Sequence, residues 1–168
     1  MPNNVPVSDL LTLRLANYND PIDAKAIVDL MSEYALHDMG GGEALSVDVR
    51  QCLVAEMSKI AGAFTVLAWI GDQPAGLINC FMGFSTFKAK PLINIHDVIV
   101  SANCRGLGLS LKMLEMVEQE AKQRGCCKLT LEVLQGNTIA QNAYVKFGFA
   151  GYELDPELGG AMFWQKSL

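Results

Sequence analysis

Between Phe64 and Val100 the chain reads as three strands in succession with no helix between them: Phe64 to Ile70, Ala75 to Phe87 and Leu92 to Val100. Gly71-Asp72 is a hairpin signal between the first two, and Pro91 stands just before the third. That run constrains the fold more than any other feature. Strands joined by short turns meander side by side, whereas parallel strands each need a long crossover, so a run of identical βαβ units, and with it a full Rossmann fold, is disfavoured.

The flanking segments complete the pattern. "LLTLRLANY" alternates Leu11, Leu13 and Leu15 against Thr12, Arg14 and Ala16, a half-buried strand. Asp20 and Pro21 then open a helix in which Ile22, Ala26, Ile27, Leu30, Met31 and Tyr34 recur at helical spacing until "MGGGE" stops them. The spacing predicts a second helix from Asp48 to Ile60. After the three strands, Leu109 to Arg124 is strongly amphipathic, with Leu109, Met113, Leu114, Val117 and Ala121 on one side. Lys128 to Leu134 alternates as a strand, Asn137 caps a helix through Phe147, and Phe149 to Leu154 with Ala161 to Lys166 read as a closing hairpin. The order is that of a mixed α/β domain.

The 168 residues, 51% hydrophobic and 18% charged, suit one globular domain over 1–168. Neither an export signal nor an apolar run approaching the roughly 20 residues of a membrane span is expected. Five cysteines, odd in number and without C-x-x-C spacing, read as reduced cytoplasmic thiols. A formal charge of −5 lacks the basic footprint selected by phosphate backbones, so no nucleic-acid partner is expected, and it leaves room for a cationic small substrate.

The stretch "NCRGLGLSLK" separates the third of these strands from the amphipathic helix. Backbone N–H groups of Arg105, Gly106, Leu107, Gly108, Leu109 and Ser110, together with the positive end of the helix dipole, would face an incoming phosphate. No Gly-Lys-Ser/Thr follows, which excludes a Walker loop, and Leu111 stands where a dinucleotide fingerprint needs its third glycine. Two readings remain: a pyrophosphate site of another kind, or a strand-to-helix turn that uses glycine for geometry alone.

Here the residues resemble the GCN5-related N-acetyltransferase (GNAT) family. Arg105, Gly108 and Ser110 follow its acetyl-coenzyme A motif, with Ser110 departing from glycine or alanine at the last position. "NTIAQNAYVKFGF" matches the second signature at Asn137, Ala140, Tyr144, Gly148 and Phe149. The resemblance implies the acyl-CoA N-acyltransferase fold, α/β with a single mixed, mostly antiparallel sheet flanked by helices. It also implies acetyl-CoA as co-substrate, with backbone around Val98, Ile99 and Val100 pairing with the pantetheine arm. The Arg105 to Ser110 turn would hold the pyrophosphate, Asn137 and Ala140 would contribute to cofactor binding, and Tyr144 would be general acid. Family members often pair through their C-terminal strands, so a homodimer is implied, with Phe163 and Trp164 suitably placed.

Acetyl transfer to an amine needs a neutral nucleophile. An alkyl amine of pKa about 10.4 lies about 3.4 pH units above neutrality, so presenting it unprotonated costs roughly 4.6 kcal/mol without a base or desolvation. In "INIHDVIV" a period of two puts Asn94, His96, Val98 and Val100 on one face and Ile95, Asp97 and Ile99 on the other, so His96 and Asp97 are expected to point apart. His96 is either the base, directly or through water, or a strand histidine satisfied by hydrogen bonds. Asp97, an awkward lone charge on an apolar face, is expected to have a structural hydrogen-bonding role, such as holding a neighbouring loop. A tyrosine such as Tyr144 can protonate a departing thiolate, whose parent thiol lies near pKa 8.5.

"FMGFSTFKAKPLINIHDVIV" and "LMSEYALHD" look similar to the diamine acetyltransferase branch, the spermidine/spermine and thialysine enzymes. That branch has Glu-Asp where this chain has His96-Asp97 and Tyr-Glu where it has His37-Asp38. Acceptor contacts are therefore expected at His37, Asp38, His96 and Glu132. With two histidines in the chain, no metal site is expected. The leading reading is an acetyl-CoA-dependent N-acetyltransferase acting on a small primary amine by direct attack in a ternary complex, with no membrane partner. The alternatives are a non-catalytic acyl-CoA sensor or partner domain, and a protein or peptide N-acetyltransferase.

Overall fold

The computed structural model describes residues 10–153, 157 and 159–168. Residues 1–131 and 132–168 form two compact units. In the first, five strands form one sheet in the order β1 (Leu11–Leu15), β2 (Phe64–Ile70), β3 (Gln73–Ser85), β4 (Lys90–Val100) and β5 (Leu129–Leu131). Pairing is antiparallel from β1 to β4 and parallel between β4 and β5. This is the mixed, mostly antiparallel sheet expected. The β2–β3 connection is the Gly71-Asp72 turn, with Ile70 opposite Gln73 and Gly71 at φ +57°.

Helices α1 (Pro21–Leu36) and α2 (Val47–Met57) cover one face of the sheet. Ala26, Ile27 and Leu30 of α1 and Val54 of α2 bury against Leu67, Trp69, Leu77 and Ile99. Helix α3 (Leu109–Gln123) buries the five residues its periodicity marks, Leu109, Met113, Leu114, Val117 and Ala121. Val66, Ile78, Ile93 and Ile95 alternate with the α1-facing residues and are buried on the sheet's other face. Helix α2 starts at the Ser46 cap and ends at Met57, three residues before the expected Ile60. Strand β5 is shorter than the expected Lys128 to Leu134.

In the second unit, α4 (Thr138–Phe147) is capped by Asn137, whose Oδ1 accepts the Ala140 N–H at 3.1 Å. The expected closing hairpin is not formed as strands among the described residues. Its trace is an isolated antiparallel bridge between Glu153 and Gly160 and a bond from the Ala161 N–H to the Tyr152 carbonyl. Leu154 lies outside the described residues.

Arg14 forks onto Asp23 with two guanidinium nitrogens, and the Asn17 N–H donates to the same carboxylate at 2.8 Å. This pairing makes Arg14 half-buried, although the alternation of β1 marks it as outward. The Arg14 hydrogen bond holds the buried Asp23 carboxyl below its ordinary range, against the opposing effect of burial. The unfolded chain therefore takes up a proton first as pH falls. The pair's stabilisation is present above about pH 4 and is lost as acid protonates the folded carboxylate. Asp23→Asn is expected to cost roughly 2 kcal/mol near neutrality, less than a fully buried pair because Arg14 is half-exposed, and to flatten the acid limb of melting temperature against pH. An unchanged acid limb would show the pair to be energetically silent.

Candidate active site

The geometry of β4 changes at one residue. Leu92, Ile93, Asn94 and Ile95 pair in sequence with Gly83, Met82, Phe81 and Cys80, but the next partner of β3, Asn79, stands opposite Asp97. His96 is the extra residue of a β-bulge. The expected opposition of His96 and Asp97 is overturned by this. His96 meets Phe81 edge-on at 5.4 Å between ring centroids, while Asp97 accepts a hydrogen bond from Asn79 at 3.0 Å. Phe81 and Asn79 are two residues apart on β3 and share a face, so His96 and Asp97 share it too. Past the bulge, Ile99 turns into the α1 core, and Val98 and Val100 exchange faces with it.

The same bulge ends the contact with β5. Ile93, Asn94 and Ile95 pair with Leu129, Thr130 and Leu131, and beyond Ile95 β4 keeps its β3 ladder but has no strand on its other edge among the described residues. Val98, Ile99 and Val100, the residues expected to meet a pantetheine arm, lie on that open edge.

A short 3₁₀ turn, Ala102–Cys104, leads from β4 into the Arg105 loop. Gly106 and Gly108 adopt φ +80° and +71°, and a Cβ at either would meet no atom within 4 Å. Their conformation requires glycine while the space above them is open, as a pyrophosphate cradle needs. Helix α3 begins at the left-handed Gly108 with no side-chain cap, so the first-turn N–H groups of Leu109, Ser110 and Leu111 are available to an anion. Leu107 is exposed in the same turn, and the Arg105 Nε lies 3.5 Å from the Val100 carbonyl. The residues present fit a coenzyme A pyrophosphate.

On the α1 side, His37 ends the helix, and its Nδ1 accepts the Met39 N–H at 3.2 Å. His37 and Asp38 are exposed. The "MGGGE" loop is tied back by bonds from Gly40 and Gly42 to the His37 carbonyl and from Glu43 to the Ala35 carbonyl. A Cβ on Gly40 would stand 1.9 Å from the Tyr34 carbonyl oxygen, so only glycine fits there. Burial pushes the Tyr34 hydroxyl up, and the charge of Asp97 adds to the shift. Glu33 accepts the Ala102 N–H at 2.8 Å and so joins α1 to the turn that feeds the Arg105 loop. No group of three or more potential metal ligands occurs among the described residues.

Glu132, Asn137, Ala140 and Tyr144 belong to the second unit. There Tyr144 packs edge-on against Phe149 at 5.9 Å, and its carbonyl accepts the Gly148 and Phe149 N–H groups that close α4. The structure also brings in residues the sequence reading did not single out: Tyr18, Thr65 and Asn79, which lead to Asp97. Two polar residues inside the apolar runs "FTVLAWI" and "AGLINCF" were the available signal. A cleft of about 400 Å³ between α1 and α2, lined by Asp29, Ser32 and Arg50 among others, contains none of the expected site residues.

An open strand edge running into a glycine turn and a helix without a side-chain cap offers unpaired backbone groups to an extended anionic ligand, and the comparisons give the class of protein. Residues 24–149 match the model of the acetyltransferase (GNAT) family, and the chain belongs to that family of acetyl-CoA-dependent N-acetyltransferases. It is 32% identical over 138 residues to the thialysine N-epsilon-acetyltransferase of Bos taurus, covering 82% of this chain and 74% of that one. With the Mus musculus enzyme of the same name it shares 30% over 118 residues, 70% of this chain and 64% of the other. Among solved structures, an aminoglycoside acetyltransferase from an uncultured soil metagenomic sample, in complex with sisomicin, superposes with a TM-score of 0.79 at 14% identity, covering 96% and 99% of the two chains. An aminoglycoside N-acetyltransferase in complex with CoA gives 0.71 at 14%, over 94% and 95%. These two likenesses establish the fold.

Gly108→Ala is expected to strain the left-handed turn and to weaken acetyl-CoA binding by about tenfold or more, while Gly108→Asp, which adds a negative charge to the cradle, abolishes it. Both should leave the circular dichroism of the folded chain intact. Titration calorimetry reads the effect, and wild-type affinity in Gly108→Asp would remove the pyrophosphate from this loop.

Proposed function

We propose that the chain acetylates a primary amine of a small molecule by direct attack within a ternary complex. The bulge at His96 carries the reading: it turns His96 and Asp97 to one face while leaving the adjacent edge of β4 open. Acetyl-CoA supplies the activated thioester carbonyl. Val98, Ile99 and Val100 bind its arm through their free edge, Arg105 to Ser110 bind its pyrophosphate, and Asn137 and Ala140 support it from α4.

In this reading His96 takes the proton of the attacking amine, directly or through one water, and Tyr144 gives a proton to the departing thiolate. Asp97 accepts a hydrogen bond from the acceptor, with His37, Asp38 and Glu132 as further contacts. Histidine beside Asp97 gives the bulge one carboxylate where the diamine branch has two, which suits an acceptor of lower positive charge than a polyamine. Five unpaired cysteines fit a reduced cytoplasmic setting, and exposed Met162, Phe163 and Trp164 support pairing of two copies through the C-terminal segment.

The test is calorimetric titration with acetyl-CoA, followed in the same samples by thiol release against polyamines, thialysine, amino acids and aminoglycosides. Binding with release on one acceptor is expected; binding without release across the panel would overturn the small-amine reading in favour of a sensor or a peptide acceptor. Tyr144→Phe should lower turnover by about 10- to 1000-fold with acetyl-CoA affinity unchanged, and unaltered turnover would remove its acid role. His96→Gln should flatten the rising limb of the kcat/KM profile against pH. A superimposable profile would leave His96 a packing partner of Phe81.

A further inference from the structure

Three buried side chains of the described core are polar or charged: Asp23, Thr65 and Asn79. Asp23 is accounted for by Arg14. Thr65 and Asn79, 0% and 1% exposed, sit opposite each other on β2 and β3 in the middle of the sheet, where apolar residues would pack as well.

Their hydrogen bonds run in one direction. Thr65 Oγ1 donates to Asn79 Oδ1 at 2.7 Å. A threonine hydroxyl has a single hydrogen, so in the 3.0 Å contact between Tyr18 and Thr65 the Tyr18 hydroxyl is the donor. Asn79 Nδ2 spends its two hydrogens on Asp97 Oδ2 at 3.0 Å and Met31 Sδ at 3.3 Å. The amide cannot be flipped, because the carboxylate and the thioether accept only. Tyr18, Thr65, Asn79 and Asp97 thus form a relay in which each donor points toward Asp97, from the α1 side of the sheet to the bulge. One carboxylate oxygen is engaged from behind by a buried donor, and no protein donor engages Oδ1 among the described residues.

We infer that Asn79 is a positioning residue for acceptor binding: backed by Thr65 and Tyr18, it fixes Asp97 so that Oδ1 faces the incoming amine beside His96. The inference rests on the amine-transfer reading above and adds to it the origin of acceptor orientation. Asn79 touches neither reactant and acts through Asp97, so its removal should change amine binding more than cofactor binding.

The test combines a structural and a kinetic arm on the full chain. In ¹⁵N spectra, the Asn79 side-chain amide resonances should shift on Asp97→Ala; resonances that do not respond would overturn the clamp whatever the chemistry. In steady-state assays with the best amine of the panel, Asn79→Leu should raise the amine KM by about tenfold or more with acetyl-CoA Kd within about twofold, as loss of a hydrogen bond to a charged group implies. Thr65→Val, which removes the hydroxyl that orients the amide, should raise KM in the same direction but less. Folded Asn79→Leu with wild-type amine KM would overturn the inference. If wild type itself releases no thiol on any amine, the transferase reading fails, and the acceptor role of the clamp fails with it. That outcome is told apart by the silence of the unmutated chain.

Discussion

The single-residue bulge at His96 is the constraint on which the site depends. Without it Asn79 would face His96, Leu77 would face Val98, and Ile99 would point away from α1. With it, Ile99 joins the buried cluster under α1, Asp97 reaches the Asn79 amide, and β4 parts from β5 after Ile95. The bulge costs a ladder hydrogen bond and a local distortion. Burial of Ile99 and the charge-assisted bond to Asp97 oppose that cost, and both form only in the shifted register.

Helix α1 reads the consequences of that shift on three levels. Its apolar side, Ala26, Ile27 and Leu30, packs on Leu67, Leu77 and Ile99. One turn on, Met31 accepts from Asn79, and Glu33 takes the Ala102 N–H. At its end, Tyr34 lies close enough to Asp97 for that charge to raise its hydroxyl's pKa, and Gly40 folds back onto its carbonyl. A single helix therefore contacts the sheet core, the relay, the turn before the Arg105 loop and the glycine loop. Displacing it would disturb the Ala102 turn and the glycine loop together.

Much of this was legible in the sequence where one physical pattern acts alone. The 3.6-residue recurrence of Leu109, Met113, Leu114, Val117 and Ala121 marks the buried stripe of α3, since one rigid helix meets one flat sheet face. Asn137 could be read as a cap because the geometry of a cap is local. The strand pattern failed at His96 because a bulge adds one residue without a compositional mark, and every later side chain then changes face. The pairing of Arg14 was not legible in the alternation of β1 because its partner Asp23 lies nine residues on, in a different element. The C-terminal hairpin survives among the described residues as a single bridge, Glu153 to Gly160, because segments that can pair do not by themselves fix a continuous ladder. The glycine turn before α3 was readable because the positive φ of Gly106 and Gly108 demands a residue type.

The relay is where the demands of stability and of the site diverge. Thr65 and Asn79 gain little for the fold as a pair, since burying two polar groups costs about what their hydrogen bonds return, and an apolar pair of similar volume would pack the same space. What an apolar pair could not supply is a donor aimed at Asp97 from inside the sheet. A carboxylate on a bulge is otherwise held by a flexible backbone and water, and its oxygens would sample several directions. Tying one oxygen to an amide whose own orientation is set by a buried threonine transfers the rigidity of the sheet core to a half-buried charge.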